Sequence, residues 1–257
     1  MKIIVSVKQV PSRDANLRVA QGGAWLDESD LTFEINEPDA YAVEEALQLK
    51  EKLGGEVVVL CAGPERAGQT IREALAKGAD RAIHVQVDAS QTLDSFFTAR
   101  LLAKAIEGEA PDLILTGLQS DDLGYGQTGV IMAELLGWPH ATIVMEVEPA
   151  AEGIRVKREL EDGWFQHVTL PLPSVLTVQS GIKKLRYATL MGIKKAKSKE
   201  VRTLDMASLG LPPASESLSF DRIYTPERRK SSQLFTGDAH QAASQLVEKL
   251  RFEARVL

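Results

Sequence analysis

Short apolar strands alternate with amphipathic helices through the first half of the chain, and this alternation is the feature that most restricts the fold. The predicted elements are strands at 2–7, 56–61, 81–85 and 112–116, and helices at 39–53, 66–77, 92–107 and 127–136. Strands and helices that alternate in this way form βαβ units, which join parallel strands by right-handed crossovers. We therefore predict an α/β fold with a doubly wound, mostly parallel sheet.

The first of these helices and the strand after it show the pattern most clearly. Asp39 is a plausible N-cap for the helix, and Gly54-Gly55 is a stop signal. The following strand, Val57–Cys61, is apolar without interruption, as expected for a strand covered on both faces of a parallel sheet.

The pattern changes in the second half of the chain. Strand-like runs at 141–147, 153–160, 164–170 and 174–178 are separated by short turns, and Glu161-Asp162-Gly163 is typical of a hairpin. We expect an antiparallel addition at an edge of the main sheet. An amphipathic helix is predicted at 239–252. Residues 205–238 have little periodicity, and we expect either an arm ordered by a second protein or a long surface linker.

Composition excludes several classes of protein. The 257 residues carry a net charge of −6, which argues against general nucleic-acid binding. The single cysteine, Cys61, excludes an internal disulfide and a multi-cysteine metal site, and we expect it to be a buried thiol. No apolar run approaches the roughly 18–20 residues of a membrane span, and residues 1–7 lack a signal-peptide pattern. We therefore expect a cytoplasmic protein with no membrane insertion.

Conventional catalytic and metal-binding motifs are not found in the sequence. The histidines do not have metal-ligand spacing; they are His84, His140, His167 and His240. Adjacent acids such as Asp121-Asp122 have diverging side chains and do not make an acid–base pair. We expect no catalytic residue and no metal in this chain.

The best candidate for a ligand site is the loop Gly117–Gly129, which lies between a buried strand and a helix. Its glycines allow close approach of a ligand, and the new helix offers unpaired N–H groups that suit a phosphate. The loop is neither the dinucleotide fingerprint nor the P-loop, and no lysine follows its glycines. This pattern favours a nucleotide that is held but not cleaved, with an ordinary capped βα loop as the alternative.

Two further strand-end loops are expected at the same edge of the sheet, because ligands bind at the carboxyl ends of parallel strands. They are Lys8–Pro11 and Cys61–Pro64. The segment Ile35–Asp39 precedes the first helix and could face the same crevice. Within it, Asn36 could read an adenine edge, although capping the helix is the simpler role.

A basic segment at 181–197 is the second region of interest, since the protein as a whole is acidic. It carries Leu190 and Met191 among lysines, and an apolar anchor inside a charged ring suits transient docking to an acidic partner. Composition alone favours a solvated basic loop that leads into a short helix.

Taken together, five motifs closely resemble the beta subunits of electron transfer flavoproteins. They are Ala42–Ala46, Ala76–Arg81, the Gly117–Gly129 loop, Arg158–Glu161 and Arg186–Leu190. The resemblance runs from Val5 to at least Lys197 and more loosely to the end. It implies a Rossmann-like domain of the adenine nucleotide alpha-hydrolase type at 1–200, with a docking loop at 181–197. Residues 201–257 would then form a C-terminal arm and helix that pack on the partner subunit.

The resemblance also implies a function. Proteins of this family are heterodimers that carry electrons singly from flavin dehydrogenases, such as acyl-CoA dehydrogenase in fatty acid beta-oxidation, to a quinone oxidoreductase. The redox FAD lies mainly on the alpha subunit, and the beta subunit holds a structural AMP. The residues implied to surround AMP are Ser6, Asn36, Glu37, Pro38, Asp39, Ala62, Gly117, Leu118, Gln119, Ser120, Asp121, Asp122, Leu123, Gly124, Tyr125, Gly126, Gln127 and Thr128. The residues implied to dock the dehydrogenase are Arg186, Tyr187, Leu190 and Met191.

Two alternatives remain open at this point. Electron-bifurcating members of the family bind a second FAD in place of AMP, and their loop typically has Gln-Val-Gly-Pro where this chain has Gln127-Thr128-Gly129-Val130, which favours AMP. A nucleotide-binding regulator of the universal-stress type would have the same kind of sheet but no role in electron transfer.

The chain also departs from the family pattern at two places. Where relatives have an aromatic residue over the flavin, this chain has Arg13 and Pro38, and where some have Pro-Asn after the docking leucine, it has Met191-Gly192.

Overall fold

A nine-stranded, mostly parallel sheet with helices on both faces organises the chain in the computed structural model, which describes residues 1–23, 25–88, 94–211, 218, 220–226 and 232–257. The strands are β1 (Lys2–Ser6), β2 (Gln9–Pro11), β3 (Phe33–Ile35), β4 (Glu56–Gly63), β5 (Arg81–Gln86), β6 (Leu113–Gly117), β7 (His140–Ala150), β8 (Gly153–Glu159), β9 (Phe165–Leu170), β10 (Ser174–Val178) and β11 (Val201–Asp205). The helices are α1 (Glu37–Leu53), α2 (Gly68–Lys77), α3 (Ser95–Ala105), α4 (Thr128–Leu136), α5 (Leu190–Ala196) and α6 (Ala239–Phe252).

The strand order of the main sheet is β11-β5-β4-β1-β6-β10-β7-β8-β9. From β1 the chain proceeds outward through β4 and β5, and it then returns to place β6 on the other side of β1. The order therefore reverses between β1 and β6, which makes this point the topological switch where open α/β sheets bind ligands. The predicted fold class is confirmed.

Two hydrophobic cores lie on opposite faces of the sheet, because successive side chains of a strand point in opposite directions. Along β4, Val57, Val59 and Cys61 pack in one core, whereas Val58 and Leu60 pack in the other. Helices α1 and α2 contribute to the first core and α3 and α4 to the second. This two-sided burial explains why the strand reads as a continuous apolar run.

The second half of the chain differs from the expected antiparallel addition in one strand. Within the main sheet, antiparallel pairing among the described residues is restricted to β7, β8 and β9, and the β8–β9 hairpin turns at Glu161–Gly163. In contrast, β10 runs parallel to both β6 and β7 and lies between them inside the sheet. The prediction that Ser174–Val178 belongs to the antiparallel addition is therefore wrong, and all five residues of this strand are buried as an interior position requires.

Two features of the sheets were not predicted. The short strands β2 and β3 pair antiparallel in a small separate sheet. The strand β11, just after residue 200, pairs parallel with β5 and forms one edge of the main sheet. Its side chains are half-buried or exposed, so it lacks the apolar run by which the interior strands were recognised.

Helix ends differ slightly from the predictions. Asp39 is not an N-cap, because α1 begins at Glu37 and Asn36 holds the capping position. The third helix ends at Ala105 rather than 107, and the first residues predicted for it, 92 and 93, lie outside the described residues, as do parts of the predicted arm at 205–238.

The predicted C-terminal helix, 239–252, coincides with α6, which Asp238 and Gln241 close with a reciprocal capping box. None of its residues is buried within this chain. Across the part of the chain that the structure describes, no helix has both the length and the apolar character to cross a membrane.

Candidate functional site

The carboxyl ends of β1, β4 and β6 meet at the switch point around a cavity of about 280 Å³. Most of the residues predicted to bind a nucleotide line it, and they come from every loop that the strand-end argument selected. The predicted residues in its lining are Ser6, Asn36, Asp39, Ala62, Gly117, Leu118, Gln119, Ser120, Asp122, Leu123, Tyr125, Gly126, Gln127 and Thr128. The sequence therefore identified the principal walls of this pocket.

Four predicted residues do not line the cavity; they are Glu37, Pro38, Asp121 and Gly124. Two of them instead join the loop to helix α1, since the N–H of Glu37 donates to the carboxylate of Asp121 at 3.3 Å. A third, Pro38, packs behind the wall at Gly117. These three residues lie behind the lining and hold it in place.

Asn36 links the loop after β6 to the start of α1. Its amide nitrogen donates to the carbonyl oxygen of Gln119 at 2.9 Å, and its amide oxygen accepts from the N–H of Asp121 at 2.9 Å. The side chain makes no capping hydrogen bond with its own helix, so the simple capping role considered for it is wrong. Because Asn36 is buried and lines the cavity, it shapes the pocket wall directly.

Asp39 ties together the ends of the two strands at the switch point. Its buried carboxylate accepts from the backbone N–H of Lys8, after β1, at 2.8 Å and from that of Gly117, at the end of β6, at 2.9 Å. Burial raises the pKa of Asp39 to about 7, although these hydrogen bonds oppose that change.

The close approach of Asp39 to β6 explains the glycine at position 117. A Cβ on Gly117 would lie 2.3 Å from Oδ1 of Asp39 and 2.7 Å from Cβ of Pro38. Any side chain at this position would therefore push the pocket wall apart.

An ion pair joins the loop after β6 to Lys8, just beyond the end of β1. The ammonium of Lys8 lies 2.7 Å from the carboxylate of Asp122 and 3.4 Å from the hydroxyl of Ser120. Burial alone would raise the pKa of Asp122, but Lys8, the Ser120 hydroxyl and the N–H of Leu123 outweigh it, and the pKa is lowered. The pocket thus holds an ionised carboxylate and a cation side by side.

The amino end of α4 faces the cavity through Gln127, Thr128 and Gly129. The Gln127 side chain makes no capping hydrogen bond, so the first N–H groups of this nine-residue helix have no side-chain cap. A Cβ on Gly129 would lie 2.6 Å from the Thr116 hydroxyl, and glycine therefore lets the helix pack closely on β6. Uncapped N–H groups at a helix start are suited to an anion.

Sequence reasoning missed one side of the pocket. The lining residues absent from the predicted set are Val7, Lys8, Gln9, Pro11, Trp25, Glu28, Phe33, Gly63, Pro64, Arg66, Ala67, Val87, Asp88, Ser95, Thr98, Leu102, Thr116 and Gly129. The strand-end argument had already pointed to the loops Lys8–Pro11 and Cys61–Pro64. Trp25 and Glu28 come from the connection between β2 and β3, and Phe33 begins the three-residue strand β3; no periodic pattern marked an element in either place.

Arg66 organises this missed side. Its guanidinium donates to Glu28 at 2.8 Å and to the side-chain oxygen of Gln9 at 3.0 Å, and it lies 4.1 Å from the ring centre of Phe33. Its charge is therefore balanced within the protein, so this wall carries a fixed cation paired with a carboxylate.

Cys61 is a buried thiol, as predicted, and burial raises its pKa to about 12. A thiol with such a pKa is a poor nucleophile at neutral pH. Among the residues that the structure describes, no group of three or more His, Cys, Asp or Glu side chains is placed to hold a metal ion.

The basic segment at 181–197 contributes no residue to the pocket lining and presents apolar side chains to solvent. Helix α5 begins after Thr189, whose hydroxyl accepts from the N–H of Gly192 at 3.0 Å. Leu190 is 87% exposed and Tyr187 is 93% exposed, and Met191 is exposed beside them. Such exposure of large apolar side chains at one place is typical of a contact surface.

The opposite face of α5 packs on α2. A Cβ on Gly192 would lie 2.2 Å from the carbonyl oxygen of Ala76, and one turn later Ala196 is buried in the first core. The helix is thereby fixed with Leu190 directed outward. Arg186, also predicted to dock a partner, is held by the chain itself, because its guanidinium binds Glu44 and Glu51 of α1.

Comparison with known proteins bears on this arrangement. A family model described as "Electron transfer flavoprotein domain" matches residues 24–209. A protein of Methylophilus methylotrophus named "Electron transfer flavoprotein subunit beta" is 38% identical over 252 residues, which cover 95% of this chain and 96% of the relative. This chain belongs to the electron transfer flavoprotein beta subunit family.

Other members of the family are similar over the same extent. The Bradyrhizobium diazoefficiens protein of that name is 37% identical and the Homo sapiens protein 35% identical, each aligned over all of this chain. The family match takes in the loop after β6, helix α4 and the segment that carries Leu190, but not α6. The resemblance drawn from the five sequence motifs is confirmed.

Proposed function

We propose that this chain, as the beta subunit of a heterodimeric electron transfer flavoprotein, binds a structural AMP and docks a flavin dehydrogenase of the acyl-CoA dehydrogenase type. Electrons then pass one at a time through the FAD on the alpha subunit to a quinone oxidoreductase. The observation that carries the proposal is the cavity at the switch point, whose walls are the loops predicted to surround a nucleotide. The subunit breaks no bond itself, and its cytoplasmic location stays a prediction.

The pocket fits a mononucleotide in size and in chemistry. Its volume of about 280 Å³ is close to the lower end of the range for small-molecule sites. A phosphate would be received by the amino end of α4 with Gln127 and Thr128, whose positions suit hydrogen bonds to its oxygens. The lining cations Lys8 and Arg66 are already paired with Asp122 and Glu28, and this favours holding one phosphate over activating the transfer of another.

The two nucleotides have different roles in this proposal. AMP, when bound, stabilises the folded subunit and supplies no redox chemistry. FAD supplies the one-electron chemistry from the alpha subunit. The residues of this chain hold the pocket walls, present the docking surface and contact the alpha subunit.

The docking surface consists of Tyr187, Leu190 and Met191, with Leu190 as the apolar anchor. The lysines of the same segment would meet an acidic rim on the dehydrogenase and steer the encounter. Helix α6, which has no buried residue in this chain, is proposed to pack on the alpha subunit through its apolar face.

The test is to purify the heterodimer, release its bound small molecules by denaturation, and quantify AMP and FAD. One AMP and one FAD per heterodimer are expected. Two FAD and no AMP would replace the proposal with an electron-bifurcating protein. Absence of any nucleotide from this chain would contradict the assignment of the pocket and leave a regulator or scaffold as the remaining candidates.

A further inference from the structure

Glu44 of helix α1 lies beneath the start of the docking surface and is used by neither the nucleotide pocket nor any exposed face. It is 4% exposed, so no partner protein can reach it. Burial of a carboxylate costs free energy unless the charge is paired, so the residue that pairs with Glu44 indicates the role of this side chain.

That partner is Arg186, which Glu44 holds at both backbone and side chain. One carboxylate oxygen accepts from the backbone N–H of Arg186 at 3.2 Å and from its Nε at 2.8 Å. The other accepts from Nη2 at 3.0 Å and from the side chain of Gln48 at 2.7 Å. A guanidinium bound in this forked manner is fixed in orientation as well as in distance.

The arrangement fixes the chain immediately before the exposed side chains. Tyr187 is the next residue and Leu190 begins α5 three positions later. Gly192 fixes the far side of the same short stretch against Ala76. The segment that carries the exposed residues is therefore fixed at both ends, and Glu44 makes one of the two fixing contacts.

We propose that Glu44 is a positioning residue for docking, which acts through Arg186 to set the presentation of Tyr187 and Leu190 to the dehydrogenase. This inference rests on the proposed function of the docking surface. Because Glu44 touches no partner, loss of its charge acts by widening the range of positions that the docking residues occupy. Binding to the dehydrogenase then weakens, whereas electron transfer within a complex that has formed is unchanged.

The experiment uses the intact heterodimer as electron acceptor for its flavin dehydrogenase and compares Glu44→Gln, Arg186→Lys and the double variant. Lysine retains the charge of Arg186 but cannot form the fork. We expect KM for the heterodimer to rise roughly tenfold in each single variant, with kcat unchanged. A change of this size corresponds to the loss of one charge-assisted hydrogen bond. The double variant should be no worse than Arg186→Lys alone, because the contact between Glu44 and Arg186 is already disrupted in that variant, together with the contact between Arg186 and Glu51.

Two controls separate the possible failures. Glu107→Gln changes a surface carboxylate on the opposite face of the sheet, and its KM should stay within twofold of the parent. Leu190→Ala tests docking itself. If Leu190→Ala raises KM and the Glu44 and Arg186 variants do not, the positioning role is refuted and the docking surface stands; if none of them raises KM, both fail.

AMP content and thermal unfolding of each variant are measured alongside the kinetics. Full AMP content with raised KM supports the positioning role. If Glu44→Gln does not fold, Glu44→Asp replaces it, because the shorter side chain keeps the charge but cannot make the forked contact with Arg186, and the same rise in KM is expected. A fall in kcat and in AMP content together with the rise in KM would indicate general damage to the fold and would contradict the proposal.

Discussion

At the scale of single residues, Gly117 is the pocket-lining glycine at which an added Cβ would lie closest to a neighbouring atom. Gly117→Ala would force its Cβ into Asp39 and Pro38, and overpacking of this kind costs about 1–3 kcal/mol. We expect the variant to lose AMP, measured after denaturation of the purified heterodimer, and to unfold at lower temperature.

Gly124→Ala is the matched control for this change, because it lies in the same loop with nothing within 4 Å of an added Cβ. It should retain AMP and lose only the roughly 1 kcal/mol that a positive φ costs alanine. Equal AMP content in the Gly117 and Gly124 variants would contradict the tight contact between β6 and α1.

Glu45, beside Glu44 on α1, should make stability depend on pH. Burial raises its pKa from 4.5 to about 7, with Lys183 and Lys52 opposing this change and Glu44 adding to it. Because the folded chain holds this proton more tightly than the unfolded chain, its contribution is favourable below pH 4.5 and is lost as pH rises towards 7. The difference corresponds to roughly 3 kcal/mol.

Glu45→Gln is therefore expected to stabilise the heterodimer at pH 8 and to have little effect at pH 5. Thermal unfolding across this range, with the exposed Glu248→Gln as control, measures the change. A Glu45 variant whose pH profile parallels that of the parent would show that this carboxyl ionises normally.

At the scale of elements, the seating of α5 on α2 should control docking without affecting the nucleotide. Gly192→Ala places a methyl group against the backbone of α2, so α5 must shift and carry Leu190 with it. We expect a KM at least several-fold higher for the dehydrogenase reaction, with AMP content unchanged. Gly68→Ala, on α2 itself but without any close neighbour, should leave KM alone, and a similar effect of both variants would contradict this packing argument.

The strands also show how much of the fold and of the pocket the sequence could predict. Apolar continuity identified the interior strands, since both of their faces are buried, and the strand-end rule then selected the loops around the pocket. The apolar pattern does not show, however, whether a strand runs parallel or antiparallel to its neighbours. Ser174–Val178 reads as a buried strand in either orientation, and only its pairing with β6 and β7 makes it parallel.

Two other parts could not be predicted for different physical reasons. The edge strand β11 exposes most of its side chains, so the apolar pattern that marks interior strands is absent. Phe33, in the three-residue strand β3, and Glu28, in the connection without periodicity before it, both enter the pocket wall in contact with Arg66, which is distant in sequence. Such contacts between remote segments leave no local pattern for sequence reasoning to detect.

At the scale of the whole molecule, α6 is the element that we expect to hold the proposed heterodimer together. Its capping box favours a helix, yet none of its residues is buried here and Leu246, Val247 and Phe252 are exposed. An amphipathic helix gains most of its stability from packing of its apolar face, so this face should be covered by the alpha subunit. Burying one leucine contributes about 1.5–3 kcal/mol, which corresponds to more than a tenfold change in affinity.

Leu246→Asp is accordingly expected to raise the dissociation constant of the heterodimer at least tenfold, as measured by sedimentation at a series of dilutions. Ser244→Asp adds the same charge on the opposite face of α6 and should change it less than twofold. AMP content should be unchanged in both, because α6 contributes no residue to the pocket lining. Equal dissociation constants for the two variants would mean that the apolar face of α6 does not meet the alpha subunit.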